Sequence, residues 1–138
     1  MRAYWVTLRP YLFYVSGTAG LVGLAQAPGL ATARLAVAFA AFFLAYGLGQ
    51  ALTDCFQTDT DALSSPYRPL VRGVITRRQV LAVSLAGLGA CGATLALLNP
   101  HNVILAGLGV LGLAAYTPLK RRWWGGPPWN SWVVALLP

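Results

Sequence analysis

Four apolar stretches run along this chain, and polar or charged residues mark the joints between them. The first extends from about Pro10 to Leu24, the second from about Leu35 to Leu52, the third from about Gln79 to Leu98 and the fourth from about Val103 to Tyr116. A fifth begins near Trp129, and the sequence stops inside it at Pro138, which reads as a truncation. A membrane-crossing helix needs about 20 predominantly apolar residues, so the second and third stretches fit well and the fourth is short. The pattern predicts an all-α fold: a polytopic transmembrane helix bundle with four spans and the start of a fifth. Gly17, Gly20 and Gly23, then Gly87 and Gly89, then Gly107, Gly109 and Gly112 fall inside the stretches. Small residues at such spacings let helices approach closely in lipid.

Composition narrows the class further. Of 138 residues, 57% are hydrophobic and only 9% charged, whereas a soluble domain carries about a quarter charged residues. That excludes both an ordinary water-soluble domain and a disordered chain. The length suits one domain.

Charge sets the orientation. Arg2 and Arg9 lie at the N-terminal end, Arg68, Arg72, Arg77 and Arg78 follow the second stretch, and Lys120, Arg121 and Arg122 follow the fourth. The other two joints hold only Arg34, so alternate sides carry nine basic residues against one. The positive-inside rule then places the N-terminus and both basic loops in the cytoplasm, with the chain multi-pass in the cell inner membrane. A rival reading is a secretory signal peptide, with Ala25-Gln26-Ala27 imitating a cleavage site. Arg9-Pro10 delays its apolar core, however, and further spans follow. The net charge of +7 is accounted for by membrane orientation. No basic stripe interleaved with aromatics supports nucleic-acid binding.

Other motifs carry little chemistry. Gly107-Leu108-Gly109-Val110-Leu111-Gly112 matches a dinucleotide fingerprint by letters, but it lies within an apolar run and no acid follows it. It reads as a packing face. Cys55 and Cys91 stand alone and read as packing residues. The single histidine, His101, falls on the side opposite the acids, so no nucleophile–base–acid set forms.

The informative stretch is Thr53 to Asp61, because all three acids of the chain, Asp54, Asp59 and Asp61, lie there. If the second helix continues through it, Asp54, Gln57 and Asp61 share one face, and the two aspartates stand about 10 Å apart along the axis. That spacing suits two hard cations, or one cation with a bridging ligand rich in oxygen. Magnesium binds in this manner, through one or two carboxylates and substrate phosphates. Asp59 points elsewhere. Arg68 and Arg72 follow in the same loop, with Lys120, Arg121 and Arg122 in the next cytoplasmic one. A carboxylate-held cation facing such donors makes a diphosphate site at the mouth of an apolar bundle. The same residues also fit a solvated loop balanced by its own salt bridges.

At this point the chain resembles the UbiA superfamily of intramembrane prenyltransferases, whose first aspartate-rich motif is N-D-x-x-D-x-x-x-D followed by a loop x-P-x-R-P-L. Asp54 matches the first aspartate, Gln57 stands at the second, Asp61 matches the third, and Thr53 replaces the asparagine. Ser65-Pro66-Tyr67-Arg68-Pro69-Leu70 looks like the loop, and Leu8-Arg9-Pro10 and Tyr116-Thr117-Pro118-Leu119-Lys120 are similar to further family segments. The resemblance implies a bundle of about nine spans, with residues 1–138 its N-terminal part. It implies transfer of an isoprenyl group from an isoprenyl diphosphate to an aromatic or other lipophilic acceptor, assisted by magnesium. Asp54 and Asp61 would then bind the metal and serve catalysis, while Arg68, Lys120 and Gln57 would hold the diphosphate. The family's second aspartate-rich motif has no counterpart, since no acid follows Asp61. Half of the implied site therefore belongs to a longer chain or a second chain, or else the protein is an inactive relic. The alternative function is a non-catalytic membrane scaffold that binds isoprenoid diphosphate or a partner subunit.

Overall fold

The computed structural model describes residues 2–26, 29, 31–122, 128 and 131. Among them the regular structure is entirely helical: α1 (Arg2–Leu8), a 3₁₀ turn (Pro10–Leu12), α2 (Phe13–Ala25), α3 (Thr32–Asp54), α4 (Thr58–Ser64), α5 (Arg77–Leu98) and α6 (Asn102–Lys120). The fifth apolar stretch, Trp129 to Pro138, lies outside the described residues, apart from Ser131.

Local chemistry sets the boundaries. Arg9 precedes a proline, which disfavours the α region, and it closes α1 in a left-handed conformation at φ 52°, ψ 67°. Pro10 then opens the 3₁₀ turn, where its missing N–H is no loss. Thr76 and Gln79 form a reciprocal capping box that starts α5.

Of the four expected spans, two helices are long and apolar enough to cross a membrane: α3, with 23 residues, and α5, with 22. The first stretch gives only the 13 residues of α2, and the apolar part of the last helix runs from Asn102 to Tyr116. Many large apolar side chains face outward, among them Val103, Ile104, Val110 and Leu111 on α6 and Leu85 and Leu97 on α5. Lipid is the solvent such a surface suits.

The central helix is α3, which packs against α1, α2, α5 and α6. On its α2 side the rings of Phe13 and Phe43 meet edge to face with centroids 5.2 Å apart. Gly17 and Gly20 of α2 lie so close to Phe39, Phe42 and Phe43 that a Cβ there would overlap the rings. On the α5 side, Gly87 lies against Leu48 in the same way. The packing expected of these glycines is thus observed, whereas Gly89, Gly107 and Gly109 meet nothing within 4 Å of a Cβ position. Gly107 and Gly109 therefore do not form the packing face expected of them among the described residues. Two small cores pin α3 to its neighbours. Ala51, Cys55, Ile75 and Val80 form one, near the end that carries the aspartates, and Ala41, Leu48 and Cys91 form the other.

Candidate functional site

The aspartate stretch does not continue α3. The helix ends at Asp54, residues 55–57 turn, and α4 begins afresh at Thr58. Three contacts fix the turn. The Gln57 N–H donates to the Asp54 carbonyl at 3.3 Å, the Asp61 N–H donates to the Gln57 carbonyl at 2.8 Å, and the guanidinium of Arg77 lies 4.9 Å over the Phe56 ring. This break corrects the single-face helix and its 10 Å separation. Asp54 and Asp61 sit on different helices, and one nitrogen of Arg68, Nη1, bonds Oδ1 of Asp54 at 3.3 Å and Oδ2 of Asp61.

Arg68 reaches both because the R-P-L loop folds back on itself. Its own N–H donates to the Ser65 carbonyl at 3.1 Å, the Arg72 N–H to the Arg68 carbonyl at 3.0 Å, and the Val74 N–H to the Pro69 carbonyl at 2.9 Å. Gly73, at φ 68°, supplies the left-handed residue that lets the chain turn away. Leu70 packs on the Ala51–Cys55–Ile75–Val80 core and anchors the loop beneath the aspartates.

A second arginine completes the cluster. Nη2 of Arg9 donates to both oxygens of Asp54, at 2.7 and 2.9 Å, and Nη1 donates to Oε1 of Gln50 at 3.1 Å. Asp54 and Asp61 are 5% and 3% exposed, and Gln57 is buried in the turn between them. A buried carboxylate left without its partner costs about 3–5 kcal/mol, so the two guanidiniums are conditions for burial and not ornaments. Charge-assisted contacts of this kind are about twice as strong as neutral ones. The cluster is balanced by its own salt bridges, as the charged-loop reading has it, but its two aspartates are shielded from solvent. The left-handed backbone at Arg9 costs on the order of 1–3 kcal/mol, and the surrounding contacts offset it.

The expected site residues sort clearly. Asp54, Gln57, Asp61 and Arg68 are brought together, whereas Arg72 is exposed. The side chain of Lys120 lies outside the described residues. Asp59 stands apart and pairs with Arg121 at 3.0 Å on the surface, which ties α4 to the end of α6. Arg9 and Gln50 were not foreseen as site residues. Their signals were faint: a cation beside a proline at the start of the first apolar stretch, and a lone amide one helical turn before Asp54.

Whether these residues suit a divalent cation can be judged from the donors. Two carboxylates whose oxygens converge on one nitrogen form a hard oxygen set, with buried Gln57 in the turn between them. No group of three or more His, Cys, Asp or Glu occurs among the described residues. Magnesium fits such a sparse set, because it takes one or two carboxylates and completes its shell with phosphate oxygens and water.

The chain thus combines two helices long and apolar enough to cross a membrane with two buried aspartates, paired by partly exposed arginines, at one end of its central helix, a makeup that suits an integral membrane protein. Comparison with known proteins narrows this. The UbiA prenyltransferase family model matches residues 13–138. The chain is 38% identical over 132 residues to the digeranylgeranylglyceryl phosphate synthase of Natronomonas pharaonis, covering 94% of this chain and 46% of that protein. It is 35% identical over 120 residues to the protoheme IX farnesyltransferase of Geobacter sulfurreducens, covering 85% and 44%. No solved structure matches. The chain belongs to the UbiA prenyltransferase family. It spans less than half the length of the curated relatives it matches.

Proposed function

We propose that this chain supplies the cation- and diphosphate-binding half of a membrane prenyltransferase that moves an isoprenyl group from its diphosphate to a lipophilic acceptor. The observation that carries this reading is the buried Asp54–Arg68–Asp61 bridge at the end of α3. Asp54 and Asp61, with the Gln57 amide, would hold magnesium. When bound, the metal draws electron density from the diphosphate oxygens and so eases departure of the leaving group. Arg68 lies beside both carboxylates, positioned to donate to a diphosphate as negative charge collects on it. Lys120 is assigned the same task from the family motif. The allylic C–O bond breaks with its electron pair going to diphosphate, and the acceptor attacks the carbon left behind and then releases a proton. Exposed apolar faces on α5 and α6 suit both a prenyl tail and the helices of a larger bundle of about nine spans.

In this reading the protein is multi-pass in the inner membrane, with its N-terminus and α4 facing the cytoplasm. The remaining spans and carboxylates come from further chain or a second subunit. A second reading has a specific observation behind it: both aspartates are already engaged by arginines. That arrangement also suits a scaffold which binds isoprenoid diphosphate or a partner subunit without turnover.

The names of the relatives point to geranylgeranyl and farnesyl groups, so geranylgeranyl diphosphate is the first donor to test. Its binding to the detergent-solubilised chain should require magnesium and fall in Asp54→Asn and Asp61→Asn. Binding indifferent to magnesium and to both substitutions would remove the assignment.

A further inference from the structure

The contact of Arg9 Nη2 with both oxygens of Asp54 bears on how a cation could reach that carboxylate. Both Asp54 oxygens accept from Arg9, and Oδ1 accepts from Arg68 as well. Gln50 holds the other Arg9 nitrogen, and the guanidinium is largely shielded from solvent. Two guanidiniums face two carboxylates, so the cluster is electrically balanced as it stands. A divalent cation arriving alone would add two positive charges and would have to displace Arg9 from the oxygens it needs. A diphosphate arriving alone would add negative charge beside two buried aspartates. Arriving together, they offset much of each other's charge, and the diphosphate offers Arg9 the oxygens that it gives up on Asp54. Guanidinium suits both partners, since its fork matches carboxylate and phosphate alike.

Resting on the proposed function, we infer that Arg9 is a counter-ion competing with the metal for Asp54, and that its exchange onto the diphosphate makes cation and diphosphate bind cooperatively. Linkage makes the effect reciprocal: whatever factor the diphosphate adds to cation affinity, the cation adds to diphosphate affinity. Arg9 thus couples the two ligands by leaving Asp54 for the diphosphate. Arg68, whose Nη1 bonds both carboxylates, keeps its place beside them as a donor to the diphosphate once the cation takes the oxygens that face it.

The test is equilibrium dialysis of the full chain in detergent against Mn²⁺, with and without inorganic pyrophosphate, counting retained metal. Wild-type protein should hold Mn²⁺ about tenfold more tightly with pyrophosphate present. Arg9→Ala should hold Mn²⁺ alone about tenfold more tightly than wild type, and pyrophosphate should then add correspondingly less. Arg9→Lys, which keeps the charge but cannot hold Gln50 and Asp54 through two separate nitrogens, should fall between, and it carries the test if circular dichroism shows Arg9→Ala unfolded. A structural role alone would weaken Mn²⁺ retention in either variant. Unchanged or weaker Mn²⁺ affinity in both, with retention still abolished by Asp54→Asn, overturns the competition while leaving the cation site standing. Retention indifferent to Asp54→Asn overturns both.

Discussion

The approach of α1 to α3 offers the sharpest test of the packing that aims Arg9. A Cβ built on Gly47 of α3 would stand 2.0 Å from Cε1 of Phe13 and 2.7 Å from the carbonyl oxygen of Leu8. Phe13 is 3% exposed and wedged against Phe43, and the Leu8 oxygen is backbone, so neither can yield cheaply. Overpacking a tight site costs about 1–3 kcal/mol, and alanine's better helix propensity returns about 1 kcal/mol. Gly47→Ala should therefore lose up to about 2 kcal/mol net. Two sister substitutions calibrate that figure. At Gly87 the added methyl would meet Leu48 Cδ1 at 2.7 Å, the far end of a flexible side chain, so its loss should be smaller. At Gly89 nothing lies within 4 Å, and only the propensity gain remains. Reversible unfolding in mixed detergent and dodecyl sulfate, followed by helical circular dichroism, should rank Gly47→Ala below Gly87→Ala and Gly87→Ala below Gly89→Ala. Because Leu8 adjoins Arg9, the Gly47 variant should also loosen the Arg9 contact on Asp54. If Gly47→Ala unfolds alongside Gly89→Ala, then α1 does not seat against α3 as described, and the aim of Arg9 loses its explanation.

A reporter fused after Leu119 should read cytoplasmic, on the same side as one placed between α4 and α5; opposite readings would contradict the Asp59–Arg121 contact that joins those ends. Removing that contact with Asp59→Ala should change unfolding by less than about 1 kcal/mol, because both partners are more than half exposed and screened. Burial pushes the Cys55 thiol up, against the nearby Arg77, while Asp54 pushes the same way as burial. Since thiolate is the reactive form, maleimide labelling of Cys55 in folded protein should be slow near neutral pH. Its rate should still be climbing with pH above the ordinary thiol value of about 8.5, and full labelling of native protein at pH 7 would contradict its burial.

Much of the architecture is legible in the sequence because lipid imposes a simple rule on helices: length and apolarity. The second and third apolar stretches become α3 and α5 with ends within three residues of those expected. The rule loses its grip where polar residues gather. Nothing in the period of Thr53 to Asp61 announces that α3 stops at Asp54. That break depends on tertiary contacts, including Arg77 over Phe56 and Cys55 in the core with Ile75 and Val80. Helix α4 is a single short segment of seven residues, below the length at which a periodic signal accumulates. Asp54, Asp61 and Arg68 are legible as a group through their motif. Arg9 is not, because its link to Asp54 spans 45 positions and arises only once α1 has folded onto α3. The same folding supplies Gln50, whose amide sits within an apolar stretch and has no signature of its own.

The position of Asp54 also has a consequence for how the chain enters the membrane during synthesis. As the last residue of α3, its carboxylate lies at the negative end of a 23-residue helix dipole, a place that favours cations and opposes an acid. An unpartnered aspartate there would resist leaving water as the span inserts. Its two arginines are made at different times. Arg9 precedes it by 45 residues and Arg68 follows it by 14. Synthesis runs from the N-terminus, so Arg9 is already available when α3 emerges, whereas Arg68 joins only after α4 and its loop have followed. Arg9 is thus the partner available to neutralise the end of α3 before the rest of the polar cluster exists.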